Sequence, residues 1–61
     1  MTEHQIHFTL ITMRKYGGHF FRLLAEAALH ADIDNRSRVF NAFPEIILTY
    51  GPQSAFYSEQ I

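Results

Sequence analysis

Side chains alternate in character at the start of the chain. From Gln5 to Thr12, an extended backbone would put Ile6, Phe8 and Leu10 on one side and Gln5, His7 and Thr9 on the other. Thr, Ile and Phe suit a pleated, half-buried surface, so this segment predicts a short β-strand. A lone strand leaves its backbone groups unpaired. The same strand of a second subunit would satisfy it, and the alternative is a flexible extension. Met13 offers an internal start, with the first twelve residues then appended to a smaller domain.

The period changes after Tyr16. Gly17 and Gly18 mark an element boundary,. His19–Ala31 is rich in Leu, Ala, Glu and Arg, which predicts a helix,. At 100° per residue, Arg22, Glu26 and His30 share a narrow polar stripe with His19 beside it. Phe20, Leu23, Leu24, Ala27 and Ala31 lie opposite, flanked by Phe21, Ala25 and Ala28. An apolar arc that wide exceeds what one neighbouring helix covers.

Asp32-Ile33-Asp34-Asn35 reads as a stop and restart, with Asp32 or Asp34 capping the next helix through its carboxylate,. From Ile33 to Tyr50 the apolar stripe is Val39, Phe40, Phe43, Ile46, Ile47 and Tyr50, and Arg38, Asn41, Glu45 and Thr49 take the other side. Pro44 would cost about 3 kcal/mol inside a helix and almost nothing at the start of a new one. A break or kink near Phe43 and a short helix from Pro44 to Tyr50 are therefore expected, ended by Gly51-Pro52,. The tail, Gln53 to Ile61, is expected to fray or to dock as an extended arm on a neighbour. The predicted fold is mainly all-α: one small domain over residues 1–61, a helical core over 16–51, and a candidate strand before it.

Composition sharpens this picture. Sixty-one residues make at most one domain, and a chain this short buries only about 60% of its unfolded surface. There is no cysteine, so neither a disulfide nor a thiolate zinc site can reinforce the fold,. Six Phe and three Tyr supply more apolar surface than short helices hide in one another, which points to a homo-oligomer, with a dimer favoured. Phe20, Phe21, Leu24, Ala28, Phe40, Phe43 and Ile47 are the candidate dimer interface. The formal charge of −1 gives no broad basic field for nucleic acid,. No apolar run approaches the roughly 18 to 20 residues of a membrane span. The N-terminus lacks a secretory pattern, so the cytoplasm is the expected location.

Candidate chemistry adds little. His4 and His7 point to opposite faces of the predicted strand, and His19 and His30 stand three turns apart, so no metal site is expected,. Glu26 and His30 suit an ordinary surface pair. No nucleophile motif occurs, and so small a chain has little interior for a water-excluding pocket of about 300 Å³ or more. No enzyme activity and no cofactor are expected. Arg14, Lys15, Tyr16 and the glycine pair could cradle an anion and so sequester a nucleotide messenger, the last-ranked reading. Asn35, Arg36, Ser37, Arg38 and Asn41 open the second helix as a helix-turn-helix recognition helix would, which makes a DNA-binding regulator the alternative,. Arg22, Glu26, His30, Arg36 and Arg38 are the candidate partner surface.

Tyr16-Gly17-Gly18-His19-Phe20, Leu24-Ala25-Glu26-Ala27-Ala28, Ala31-Asp32, Asn35-Arg36, Ala42-Phe43-Pro44-Glu45 and Tyr50-Gly51 together resemble a group of short phage and prophage proteins. The resemblance covers roughly Met13 to Gly51 and is a pattern, with no activity attached to it. Members often begin near the equivalent of Met13 and carry Pro where this chain has Ile33. The resemblance implies stoichiometric binding to a bacterial protein or nucleoprotein complex, blocking a host enzyme or a defence system as anti-CRISPR proteins do.

Overall fold

A computed structural model describes residues 1–60; Ile61 lies outside the described residues. Among these, the chain forms four helices and no strand: α1 (Glu3–Tyr16), α2 (His19–Leu29), α3 (Ile33–Ala42) and α4 (Glu45–Tyr50).

The predicted strand Gln5–Thr12 is a helix, and the cause lies at its start. Thr2 accepts the Gln5 backbone N–H at 3.1 Å, and the Gln5 side chain accepts the Thr2 backbone N–H at 3.0 Å. This reciprocal capping box satisfies two orphan donors of the first turn. Glu3 in the first turn and Arg14 and Lys15 in the last suit the helix dipole,. The apolar set fits either period. Read as a helix, Ile6, Leu10 and Met13 share a face with Thr9 and Thr12, and these last four residues are fully buried. Phe8 turns away and packs on the His4 and His7 rings, at centroid distances of 4.9 and 5.1 Å. A helix satisfies its own backbone, so no strand of a second subunit is needed.

Buried hydroxyls on α1 are satisfied. Thr9 Oγ1 donates to the Gln5 carbonyl at 2.7 Å, and Thr12 Oγ1 accepts the Ser58 backbone N–H at 3.3 Å. The core joins Leu10 and Met13 of α1 to Ala25 and Ala28 of α2 and to Ile46 and Tyr50 of α4. Thus α1 is the spine of the molecule and not an appendage: it packs against both α2 and α4, and α3 packs on α2.

Gly17 makes the first corner possible. A Cβ there would stand 2.6 Å from the Met13 carbonyl oxygen and 2.7 Å from Phe21 Cβ, so only glycine lets α1 and α2 meet this closely. At Gly18 a Cβ would meet nothing within 4 Å. The Gly17 N–H donates to the Met13 carbonyl at 2.8 Å and is therefore unavailable to an anion.

Helix α2 ends at Leu29, two residues before the expected Ala31, because the chain tightens into three-residue turns, His30 to Ala27 and Ala31 to Ala28, both at 3.2 Å. The face it buries is also rotated from the expected one. Phe21, Ala25 and Ala28 face the core, whereas Phe20 and Leu23 are 57% and 53% exposed.

Asp32 occupies the N-cap position of α3, but its carboxylate accepts the Asn35 side-chain amide at 2.7 Å instead of a backbone N–H. The backbone leaves helical values at Phe43, whose φ is −129° and ψ is 73°. Pro44 immediately precedes α4, at φ −61° and ψ −20°, where its missing N–H costs no hydrogen bond,. Helix α4 ends at Tyr50, before Gly51-Pro52 as expected.

The described part of the tail packs on its own chain. Phe56 stacks on Tyr16 and Tyr50, at centroid distances of 5.1 and 6.2 Å. Ser58 is tied to Thr12, and Glu59 lies 3.0 Å from His4 Nε2. The tail thus runs back along its own α1. Tyr57 O–H donates to Glu59 at 2.6 Å.

These tail contacts set a pH dependence. Glu59 is held below the ordinary value of 4.5 by the Tyr57 hydrogen bond and then by His4. Glu3 is held below it by its hydrogen bond to Arg36. A lowered carboxyl pKa gives stability that is present above the unfolded value and lost as pH falls through the folded one. Tyr57 is pushed from 10.0 up to about 12, first by desolvation and then by Glu59, so its contribution is lost as pH rises across that interval,. Thermal melting against pH is expected to decline below 4.5 and again above 10,. Glu59→Gln should make both declines shallower.

Candidate protein-binding surface

An open hollow lies between the start of α1, the outer side of α4 and the turn after it. Its volume is about 540 Å³, and Met1, Gln5, Ile47, Leu48, Pro52 and Gln53 line it. A second hollow of about 260 Å³ adjoins it, with Met1 and Ile47 common to both and Ile6, Phe40, Arg36, Ser37 and Asn41 on its remaining walls. Together they form one open groove of mixed lining, with Met1, Ile6, Phe40, Ile47 and Leu48 as its large apolar members and Gln5, Arg36, Ser37, Asn41 and Gln53 as its polar ones.

The geometry follows from α4. Ile46 and Tyr50, four apart, turn inward to the core, which leaves Ile47 and Leu48 on the outer side. Leu48 is 81% exposed, the highest value among the large hydrophobic residues of the described chain. Ile47 is 43% and Met1 51% exposed. The exposed surface totals 4032 Å², against about 4,100 Å² for a folded chain of this mass. The chain therefore exposes about as much surface as an average folded protein of its mass,. Its unusual feature is the chemistry left outside: large aliphatic side chains gathered in one place, which mark interaction surfaces.

Arg36 closes one end of the groove. Its guanidinium donates to both Glu3 carboxylate oxygens, at 3.0 and 2.8 Å, and so ties α3 to the first turn of α1. Such bidentate pairing fixes a side chain more firmly than a single contact.

No family model, no curated protein and no solved structure matches this chain.

The residues expected to form a partner surface do not converge. Arg22, Glu26 and His30 stay on the outer side of α2, all exposed. Arg22 lies 3.0 Å from His19 Nδ1, and Glu26 is 3.8 Å from Arg14, so the expected Glu26–His30 pair gives way to a weak contact with α1. Arg38 is exposed and reaches the Asn35 side chain at 3.5 Å. Arg36 alone touches the groove, as a strut and not as a free cation. Glu3 therefore competes for Arg36 with any base or phosphate that α3 would contact,.

The expected dimer residues separate into three groups. Ala28 is 1% exposed and belongs to the monomer core, where Phe21, Leu24 and Phe43 pack against it. Phe40 and Ile47 line the groove, and Phe20 remains outside on α2. Met1, Ile6 and Leu48 are not among the residues that the sequence marks for interaction. With Gln5–Thr12 as a strand, nothing places Met1 and Ile6 beside α4. Among the described residues no group of three or more His, Cys, Asp or Glu is placed to hold a metal ion. Nor is any helix among them long and apolar enough to cross a membrane.

Proposed function

We propose that this chain is a small non-enzymatic binding protein that acts stoichiometrically, as a homodimer, on a bacterial protein or nucleoprotein complex in the host cytoplasm. The class is that of phage-type inhibitors of host or defence machinery. The observation that carries the reading is the open groove in which Met1, Ile6, Phe40, Ile47 and Leu48 stand among polar neighbours. A groove of this kind accepts the apolar face of an amphipathic helix or a short hydrophobic segment, read through a few anchoring side chains. The Glu3–Arg36 pair and α4 border it, which lowers the cost of ordering the groove itself on binding,.

The test is capture by the tagged chain in bacterial cells, with the ratio of the complex read by native mass spectrometry. A partner at a fixed integer ratio is expected. Leu48→Asp should weaken its capture by about thirtyfold or more, the scale of losing an interface anchor. Thr49→Gln, an exposed change one position along, should leave capture intact. Equal capture by wild type and Leu48→Asp would contradict the groove reading.

A further inference from the structure

We infer that α3 is a flap that opens while the other helices stay folded, and that the Arg36–Glu3 pair is its latch. Helices α1, α2 and α4 each place residues in the fully buried core, whereas α3 places none there. Its inward side chains, Val39 and Phe40, are half-buried and rest against the core from outside. The other polar contacts of α3 stay local. Asp32 accepts the Asn35 amide at 2.7 Å, and Arg38 reaches the Asn35 side chain at 3.5 Å. Among the described residues, the side-chain hydrogen bonds that leave α3 for another helix are those of Arg36 to Glu3, at 3.0 and 2.8 Å.

Hinges are in place at both ends. The backbone departs from helical values at Asp32, φ −67° and ψ 171°, and at Phe43, φ −129° and ψ 73°. Phe43 itself is anchored, its ring 5.7 Å from Phe20 and 6.0 Å from Phe21, so α4 keeps its place when α3 opens. A helix of ten residues is not stable alone in water, so α3 unravels once it leaves α2,. Elements with little buried apolar surface open in this way at lower cost than the whole chain. The second hollow has Arg36, Ser37, Phe40 and Asn41 of α3 along one wall, so the flap is that wall. The first hollow has no lining residue from α3 and survives the opening. The consequence for binding rests on the groove reading: a partner seated in the second hollow holds the flap shut. The opening itself does not depend on that reading.

Native-state hydrogen exchange of the full chain, read amide by amide by NMR at low urea, tests this. In wild type the amides of Val39, Phe40 and Asn41 are expected to exchange about tenfold faster than those of Leu10 and Met13, with a weaker dependence on urea. Ile46→Val should speed the Leu10 and Met13 amides several-fold and leave the α3 amides unchanged, because α4 stays packed when the flap opens. Glu3→Gln and Arg36→Gln should each speed the α3 amides by about fivefold. The double variant should go no further, since either change alone removes the latch. Glu3 is the more exposed of the two partners, so Glu3→Gln serves should Arg36→Gln impair folding. Amides of α3 that share the rate and the urea dependence of Leu10 overturn the flap. Exchange in α3 that is unchanged by Glu3→Gln overturns the latch. Neither readout involves a partner, so both are separate from the effect of Leu48→Asp on capture.

Discussion

Leu10→Ala is expected to remove about half of the chain's folding stability, roughly 2–5 of 3–9 kcal/mol. Leu10 is 1% exposed at the centre of α1, and the fully buried apolar core consists of just Leu10, Met13, Ala25, Ala28, Ile46 and Tyr50. Removing a buried leucine side chain costs about 2–5 kcal/mol, the upper part of the range applying where the surroundings cannot collapse. A domain of this length has roughly 3–9 kcal/mol in total, at 0.05–0.15 kcal/mol per residue. Two of the six core residues are alanines, which have no larger rotamers with which to refill the gap. Helix content and urea midpoint measure the effect. Ile33→Ala, at a position 67% exposed, should stay within about 0.5 kcal/mol of wild type,. Had residues 5–12 been an appended extension, Leu10→Ala would be as harmless as the change at Ile33.

Gly17→Ala is expected to destabilise and Gly18→Ala to be nearly neutral, although the residues are neighbours of the same type. At Gly17 the added methyl meets the Met13 carbonyl oxygen at 2.6 Å and Phe21 Cβ at 2.7 Å. Neither is the far end of a flexible side chain, so relief requires α1 and α2 to move apart across their main contact. Overpacking of this kind costs about 1–3 kcal/mol. The Tyr50 hydroxyl at 3.4 Å from the same point links the strain to α4 as well. At Gly18 there is open space and a backbone of φ −65° and ψ −174°, which alanine adopts freely,. There the gain of about 0.4–1 kcal/mol from restricting the unfolded chain is offset by the poorer cap that alanine makes at the N-cap position of α2, so the substitution should stay within about 0.5 kcal/mol of wild type,. Thermal or urea unfolding of the two variants side by side decides it, and equal losses would show that the corner is not tightly packed.

Most helix boundaries are readable from local chemistry. Gly17-Gly18, Asp32, Pro44 and Gly51-Pro52 each act within a residue or two, and the helices stop and start at those places. The N-terminal segment is different because Ile6 and Leu10 belong to two patterns at once, Ile6, Phe8 and Leu10 at a two-residue period and Ile6, Leu10 and Met13 at a three-to-four-residue period. The deciding signal is the Thr2–Gln5 capping box, four residues long and beginning outside the periodic stretch. The orientation of α2 has another cause. An apolar arc wider than one contact contains two inward faces to choose from, and the packing partner makes the choice. That partner is α1, where the pattern predicts a strand, so the two departures share one cause: Phe20 and Leu23 turn outward and Phe21 and Ala25 inward. The groove inherits the same limit, since Met1 and Ile6 reach α3 and α4 only through α1. Arg36 is legible as a cation but not as a strut, because its partner Glu3 is 33 positions away in the sequence.

The central functional claim is that the groove, and not the exposed outer face of α2, meets the partner. Methyl-detected NMR of the full chain, titrated with the captured protein, addresses it directly. The methyl signals of Met1, Ile6, Ile47 and Leu48 should shift or broaden on binding, with those of Leu23 and Ala27 unchanged. Perturbation confined to Leu23, Ala27 and their neighbours, with the groove methyls silent, would contradict the account.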